Sequence, residues 1–304
     1  MDPASGHLPR HFPAPELNPP FTVEMPARRA MPFVFCSPHS GRIYPRSFLA
    51  VSRLDPLTLR RSEDAFIDEI FASAPRWGAP LLRAHFPRAY LDLNREPWEL
   101  DPAMFQGDLP AFVNNYSARV AAGLGTIARL VAYEADIYRE KLPFAEAEFR
   151  IRTFYEPFHE KLQGLLEETH RRYGFAVLID CHSMPSIGGF FDQDSGLSRA
   201  DIVLGDRFGS SCTPALTSFV TETLERENLR VVRNLPYAGG FITEHYGRPA
   251  DGFHVLQIEI NRGLYMDERK VTRSSGLSHV ARAVSNLVQA LRSMDINPLA
   301  AAAE

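Results

Sequence analysis

The sequence predicts an α/β fold, a single three-layer α/β/α domain around a mixed, mostly parallel sheet. Short apolar runs bounded by turn residues alternate with longer amphipathic stretches, the pattern of strands joined by crossover helices. Polar clusters follow directly on several of the runs, where open α/β sheets collect their ligands. With 304 residues, 45% hydrophobic and 23% charged, the chain is long enough for one large core and near the size at which a single core stops growing.

The elements follow in order. Residues 1–30 hold seven prolines and few apolar residues to bury, and are expected as a mobile or surface-hugging arm. A strand over 32–36 runs into Ser37-Pro38-His39-Ser40-Gly41, and a helical pattern covers 56–74. A strand is predicted over 80–84. Another is predicted over 88–93, where alternation puts Arg88, Tyr90, Asp92 and Asn94 on one face and Ala89, Leu91 and Leu93 on the other. The mixed signals of 100–142 suggest an elaboration packed over the sheet. A helix over 146–172 precedes the most apolar strand, 175–180, which leads into Cys181-His182-Ser183. Strands over 201–204 and 230–233 flank a helix over 214–227. The strand over 255–260 alternates Leu256, Ile258 and Ile260 with Gln257, Glu259 and Asn261. A helix over 270–294 closes the domain, which spans 31–296. The alanine-rich residues 297–304 read as a frayed tail.

Composition excludes several classes. Thirty-three basic against 37 acidic residues, without a basic block, argue against nucleic acid as a partner. No apolar run approaches the roughly 18–20 residues that span a bilayer, and Met1 to Pro20 lacks the apolar centre of a signal peptide. Three cysteines, Cys36, Cys181 and Cys212, without CxxC spacing, exclude a disulfide framework and a cysteine-based zinc site, and fit a reducing cytoplasm.

Two histidines, His39 and His182, each follow an apolar strand. Taken alone, His39 is more readily a structural imidazole bonded to backbone than a ligand. Together they suit zinc, whose catalytic sites commonly take two histidines, a carboxylate and an open position. Asp64 and Asp68 are four apart in a helical pattern and share a face, so either offers the carboxylate; a solvated acidic face pairing with Arg60 and Arg61 is the alternative. Arg95 beside Asn94 offers a forked guanidinium next to a carboxamide, suited to a substrate carboxylate, or else a salt bridge to Asp92 or Glu96. Glu259 enters the same region if its strand is central, where a carboxylate takes a proton from water and returns it to a departing amine. On an edge strand it would simply be solvated.

Short fragments occurring in order carry a family resemblance: Ser37-Pro38-His39-Ser40-Gly41 with Tyr44-Pro45, the segment of Asp64 and Asp68, Asp92-Leu93-Asn94-Arg95, and Tyr155-Glu156-Pro157-Phe158-His159. They continue with Asp180-Cys181-His182-Ser183, Leu204-Gly205-Asp206-Arg207, Asn234 to Gly240, and Leu256 to Ile260 with Tyr265-Met266. From about Pro32 to Met294 the chain resembles the N-formylglutamate amidohydrolases, a family similar in fold and metal site to the zinc carboxypeptidases and aspartoacylases. The resemblance implies one zinc ion per chain on His39 and His182. It also implies Asn94 and Arg95 on the substrate carboxylate, with Ser183 and Tyr237 as further substrate contacts, Arg88 as oxyanion stabiliser and Glu259 as general base and acid. The zinc carboxypeptidases carry a glutamate three residues after the first histidine, where this chain has Arg42, so the third ligand is expected from Asp64, with Asp68 behind it. The implied reaction is hydrolysis of a small N-acyl amino acid, most simply N-formyl-L-glutamate to formate and L-glutamate, in the cytoplasm as a step of histidine degradation. A carboxypeptidase, another deacylase on the same scaffold and a non-catalytic carboxylate- or metal-binding relative are the alternatives. Arg150, Arg152, Arg207 and Arg248 are candidates for holding a second substrate carboxylate, against the more common identity of a surface or structural arginine for each.

Overall fold

Nine consecutive buried residues, Ala176–Met184, form the central strand of the computed structural model, which describes residues 13–131, 135–190, 192 and 194–294. The sheet has seven strands: β1 (Phe21–Glu24), β2 (Phe33–Ser37), β3 (Leu81–Ala84), β4 (Ala176–Met184), β5 (Ile202–Gly205), β6 (Val231–Arg233) and β7 (Phe253–Asn261). Their spatial order is β1-β3-β2-β4-β7-β5-β6. Strands β3, β2, β4 and β7 run parallel to one another. β1 is antiparallel to β3 and β5 to β7, while β6 runs parallel to β5. The sheet is thus mixed and mostly parallel, as the alternation of apolar runs and amphipathic stretches predicts.

Period-2 alternation divides the core into two layers. Val34, Cys36, Leu82, Ala176, Leu178 and Val255 face one side, against α2 (Glu156–Tyr173) through Phe158, Leu162, Leu165 and Leu166. Phe33, Phe35, Val177, Ile179, Leu256, Ile258 and Ile260 face the other, against α1 (Ile67–Ile70), α3 (Pro214–Arg226) and α5 (Leu277–Leu291). Helix α5 shows why it packs there: Val280, Ala283, Val284, Leu287, Val288 and Leu291 recur at three- and four-residue spacing and are all buried. On the α2 side the alternation turns polar towards the ends of two strands. Asp180 and His182 continue the face of Ala176 and Leu178, and Gln257 and Glu259 continue that of Val255. That change of character at the carboxyl ends of β4 and β7 creates the site.

Several expectations are corrected. Residues 88–93 form no strand: Pro87 opens a turn in which the N–H groups of Tyr90 and Leu91 donate to its carbonyl, and Asp92 accepts from the N–H of Asn94. Tyr90 therefore leaves the polar face and is fully buried in the core. The helix expected over 56–74 is broken into Pro56–Arg60, α1 and Ala74–Trp77, because Arg61 to Phe66 form a turn with Phe66 at a left-handed φ of 68°. The last helix begins only at Leu277, after a hairpin pairing Met266–Asp267 with Thr272–Arg273. Within the expected N-terminal arm, residues 21–24 pair as an edge strand with β3. Residues 1–12 of that arm and the tail 297–304 lie outside the described residues. Among the described residues no helix is long and apolar enough to cross a membrane.

Candidate active site

The loop after β2 brings in the first histidine. Ser37 and Ser40 bond through their hydroxyls at 2.6 Å, Ser40 Oγ donates to the Asp64 carbonyl, and the Asp64 N–H donates to the His39 carbonyl. These bonds stitch the His39 loop to the Arg61–Phe66 turn. Gly41 is required here, since a Cβ would lie 2.0 Å from the Phe86 carbonyl oxygen. The second histidine, His182, stands on β4, and its ring centre is 5.0 Å from that of His39.

Both histidines turn Nδ1 towards one carboxylate oxygen. Oδ2 of Asp64 lies 2.9 Å from His182 Nδ1 and 3.3 Å from His39 Nδ1, and the three ligand atoms fall within 4.8 Å of one another. All three residues are buried. The other faces of the cluster are braced from behind. His39 Nε2 is 2.7 Å from Oδ1 of Asp92, and Asp64 Oδ1 accepts from Ser183 Oγ and from Arg262 Nη2, each at 3.0 Å. His182 Nε2 has the Asn94 amide at 3.2 Å and Oδ1 of Asp180 at 2.8 Å, though the fully buried Asp180 carboxylate has no hydrogen bond of proper geometry.

The cluster has the properties of a cation site. His39 Nδ1 is buried, faces Asp64 and makes no hydrogen bond among the described residues, so a basic nitrogen points at the gap between the three side chains with its lone pair unmatched there. The outward nitrogen of His39 resting on a carboxylate is the outer-shell arrangement that fixes the tautomer of metal-ligating histidines. Burial alone would raise the Asp64 carboxyl, but its hydrogen bond to His182 and its charge interactions with both histidines outweigh it and hold the group well below the usual carboxylate range.

Asp68 does not join this cluster. Once Phe66 turns the chain, Asp64 lies in the turn and Asp68 in α1, so they share no helical face; Asp68 lies instead 3.7 Å from Arg42 and 3.6 Å from Arg83.

Glu259 stands on a central strand, flanked by β4 and β5, in direct register with His182. Its Oε1 accepts from Gln257 Nε2 at 2.9 Å, and burial raises its pKa to about 7, with the His182 charge acting against that rise. A carboxyl poised there can hold or release a proton near neutral pH.

These groups open on a cleft of about 370 Å³ whose lining includes Arg88, Asp92, Asn94, Arg95, Tyr237 and Gln257. Arg88 directs Nε and Nη2 to Oδ2 of Asp92 at 3.1 and 2.9 Å. Arg95 donates Nε to the Leu124 carbonyl and Nη1 to its neighbour's carbonyl, with Asp92 Oδ2 3.7 Å from Nε, and its Nη2 makes no hydrogen bond among the described residues. Asn94 Oδ1 accepts from the N–H of Ile242 in α4 (Phe241–Tyr246). Its carboxamide packs so closely on Gly240 that a Cβ there would come within 2.4 Å. Tyr237 receives a hydrogen bond from Arg199, whose guanidinium also lies over its ring. The Tyr155–His159 motif holds this wall from below: Tyr155 donates to the Arg95 carbonyl, and His159 Nε2 lies 2.9 Å from the Leu93 carbonyl oxygen.

None of the four arginines named for a second carboxylate lines the cleft. Arg150 is fully buried against Glu146 and Tyr138, while Arg152, Arg207 and Arg248 pair with Glu148, Glu244 and Asp251. Three other arginines do line it, Arg61, Arg119 and Arg262. Arg262 carried a readable signal, since it directly follows the polar alternation of β7. Arg61 and Arg119 lie in segments whose course only tertiary packing decides.

Two imidazoles and a carboxylate converging beside a protonatable glutamate, at the carboxyl ends of parallel strands, form a hydrolase class of site whose donor set could hold a metal ion. The chain belongs to the N-formylglutamate amidohydrolase family, whose sequence model matches residues 31–266. It is 28% identical over 247 residues to the N-formylglutamate deformylase of Pseudomonas aeruginosa, covering 80% of this chain and 85% of that one. With the N-formylglutamate deformylase of Pseudomonas putida it shares 30% identity over 209 residues, 67% of this chain and 71% of the other. The crystal structure of N-formylglutamate amidohydrolase from Ralstonia eutropha JMP134 superimposes with a TM-score of 0.83 at 36% identity, over 90% of this chain and 97% of that one.

Proposed function

We propose that this protein hydrolyses N-formyl-L-glutamate to formate and L-glutamate, with one zinc ion held by His39, Asp64 and His182. The observation that carries the reading is the convergence of two imidazole nitrogens and a carboxylate oxygen next to Glu259. The family membership and the named activities of the relatives support the substrate. The donor set of two nitrogens and one oxygen suits zinc, and the unpartnered Nδ1 of His39 supports a cation there. What zinc supplies when bound is Lewis acidity, which polarises a carbonyl and makes water nucleophilic near neutral pH.

The remaining roles belong to the chain. Glu259 takes the proton of the attacking water and passes it to the departing amine, which its raised pKa allows in both directions. Arg88, fixed by Asp92, meets the negative charge developing on the formyl oxygen. Arg95 receives the α-carboxylate through its unbonded Nη2, with the Asn94 carboxamide beside it, and Ser183 and Tyr237 complete the walls around the substrate. Anchoring the carboxylate sets the amide against the proton-transferring group and converts binding into alignment. The reading extends to a cytoplasmic enzyme of histidine degradation.

Metal analysis of the purified protein, joined to a formate-release assay on a panel of N-formyl and N-acetyl amino acids, tests the proposal. One zinc per chain and a preference for N-formyl-L-glutamate are expected. Preferred release of another acyl group or amino acid would replace the substrate, and full activity in metal-stripped protein would remove zinc from the mechanism.

A further inference from the structure

Five guanidinium groups and three carboxylates line the cleft, so the walls carry an excess of positive charge. The arginines differ in how they are engaged. Arg262 makes hydrogen bonds to Ser183, the Arg61 carbonyl and Asp64; Arg88 makes two to Asp92; Arg95 makes two to carbonyl oxygens. Arg119 is half-buried on the cleft wall, and its side chain has no hydrogen bond or ion pair among the described residues.

Its backbone is nonetheless fixed. It sits in a helical turn, Ala118–Ala121, whose Ser117 cap accepts from the N–H of Val120, and its carbonyl accepts from the N–H of Leu124. Leu124 in turn receives Arg95 Nε, so one short turn ties the two arginines together. Burial first, then the charges of Arg88 and Arg119, push Arg95 below the usual guanidinium range despite Asp92. Two like charges tied to one short turn, with Arg95 Nη2 and the Arg119 fork making no hydrogen bond among the described residues and Asp92, 3.7 Å from Arg95 Nε, offsetting one charge in part, are stabilised by an anion. The lining also includes Leu124, Ala128 and Leu130, an apolar strip on the same segment.

We infer that Arg119 receives the side-chain carboxylate of the substrate, with Leu124, Ala128 and Leu130 against its methylenes, and so determines specificity for an acidic side chain. The inference rests on the proposed deformylase reading and assigns it a second carboxylate subsite. Arg95 and Arg119 then take one substrate carboxylate each, and a ligand with two carboxylates offsets the surplus charge of the walls.

The test compares the metal-loaded full chain with its Arg119→Met and Arg119→Lys variants, each checked for an unchanged unfolding midpoint. Formate release is followed from N-formyl-L-glutamate and N-formyl-L-glutamine, and binding of L-glutamate and L-glutamine by calorimetry. Arg119→Met should lower kcat/KM on the acid by about 10- to 100-fold, chiefly through KM, with a much smaller loss on the amide, so that the preference collapses. The binding preference for L-glutamate over L-glutamine should collapse with it, and Arg119→Lys should recover part of both. An undiminished preference in Arg119→Met, in turnover and in binding, would overturn the inference. A parent protein that binds L-glutamate through Arg119 yet releases no formate would support the subsite and defeat the deformylase reading instead.

Discussion

His182 and Glu259 are direct register partners on adjacent parallel strands, so the proposed ligand histidine and the glutamate proposed to transfer the proton are held by the backbone ladder of the central sheet rather than by loops. Each continues a face that is apolar earlier in its strand, and nine-residue strands on both sides keep the pair rigid.

Glu259→Gln therefore tests the chemistry with little disturbance of shape. Gln257 can still bond the new carboxamide, and the metal cluster is untouched. Turnover of N-formyl-L-glutamate should fall by about 10²- to 10⁴-fold, with metal content and substrate affinity retained. Steady-state kinetics beside metal analysis check this, and turnover at the parent rate would take Glu259 out of the mechanism.

His182→Ala should abolish stoichiometric metal binding, because it removes one of three donors and opens the space that the imidazole fills. Asp92→Asn should act more gently. It removes the carboxylate behind His39 Nε2, and loss of such an outer partner typically weakens metal affinity by about 10- to 100-fold. Competition with a chromophoric chelator measures both, and full zinc stoichiometry in His182→Ala would require a different ligand set.

Much of this site was legible in the sequence, and the exceptions have physical causes. His39, His182 and Glu259 could be placed because apolar runs mark the strands and period-2 alternation says which side chains share a face. Asp64 was reached as one of two candidates. What separates it from Asp68 is the positive φ of Phe66, which no hydrophobic pattern encodes. The alternation of Arg88 to Asn94 imitated a strand, yet the turn opened by Pro87 and the hydrogen bond from Asn94 N–H to Asp92 decide otherwise. Arg119 was out of reach, because its helical turn, Ala118–Ala121, is only four residues long and carries no hydrophobic period that would place it beside the cleft.

Arg95→Lys should weaken substrate binding more than it slows turnover. The guanidinium spends Nε and Nη1 on two carbonyls while Nη2 makes no hydrogen bond among the described residues, a division that a single ammonium cannot reproduce. KM for N-formyl-L-glutamate should rise about 10-fold or more, with a smaller fall in kcat where misalignment reaches the amide. Unchanged KM would show that the α-carboxylate is held elsewhere.

His159 gives the fold a dependence on pH that can be read apart from catalysis. It bridges α2 to the wall of the cleft: Nε2 donates to the Leu93 carbonyl, and Nδ1 lies 2.9 Å from the Tyr246 hydroxyl, which is also 3.3 Å from the His159 carbonyl oxygen; in the neutral ring Nδ1 accepts from that hydroxyl. Burial lowers its pKa to about 3, against about 6.5 in the unfolded chain. Above pH 6.5 the ring is neutral in both states and stability does not depend on it. As pH falls from about 6.5 towards 3, the unfolded chain takes up a proton that the folded one refuses, so stability is lost, by up to about 1.4 kcal/mol per pH unit. His159→Gln keeps hydrogen-bonding groups without a titrating ring. Urea midpoints measured between pH 7 and pH 4 should therefore fall less steeply for the variant than for the parent, although the variant starts lower at pH 7. Parallel slopes would mean that His159 is protonated in the folded protein and that its bond to Tyr246 is made with the tyrosine oxygen as acceptor.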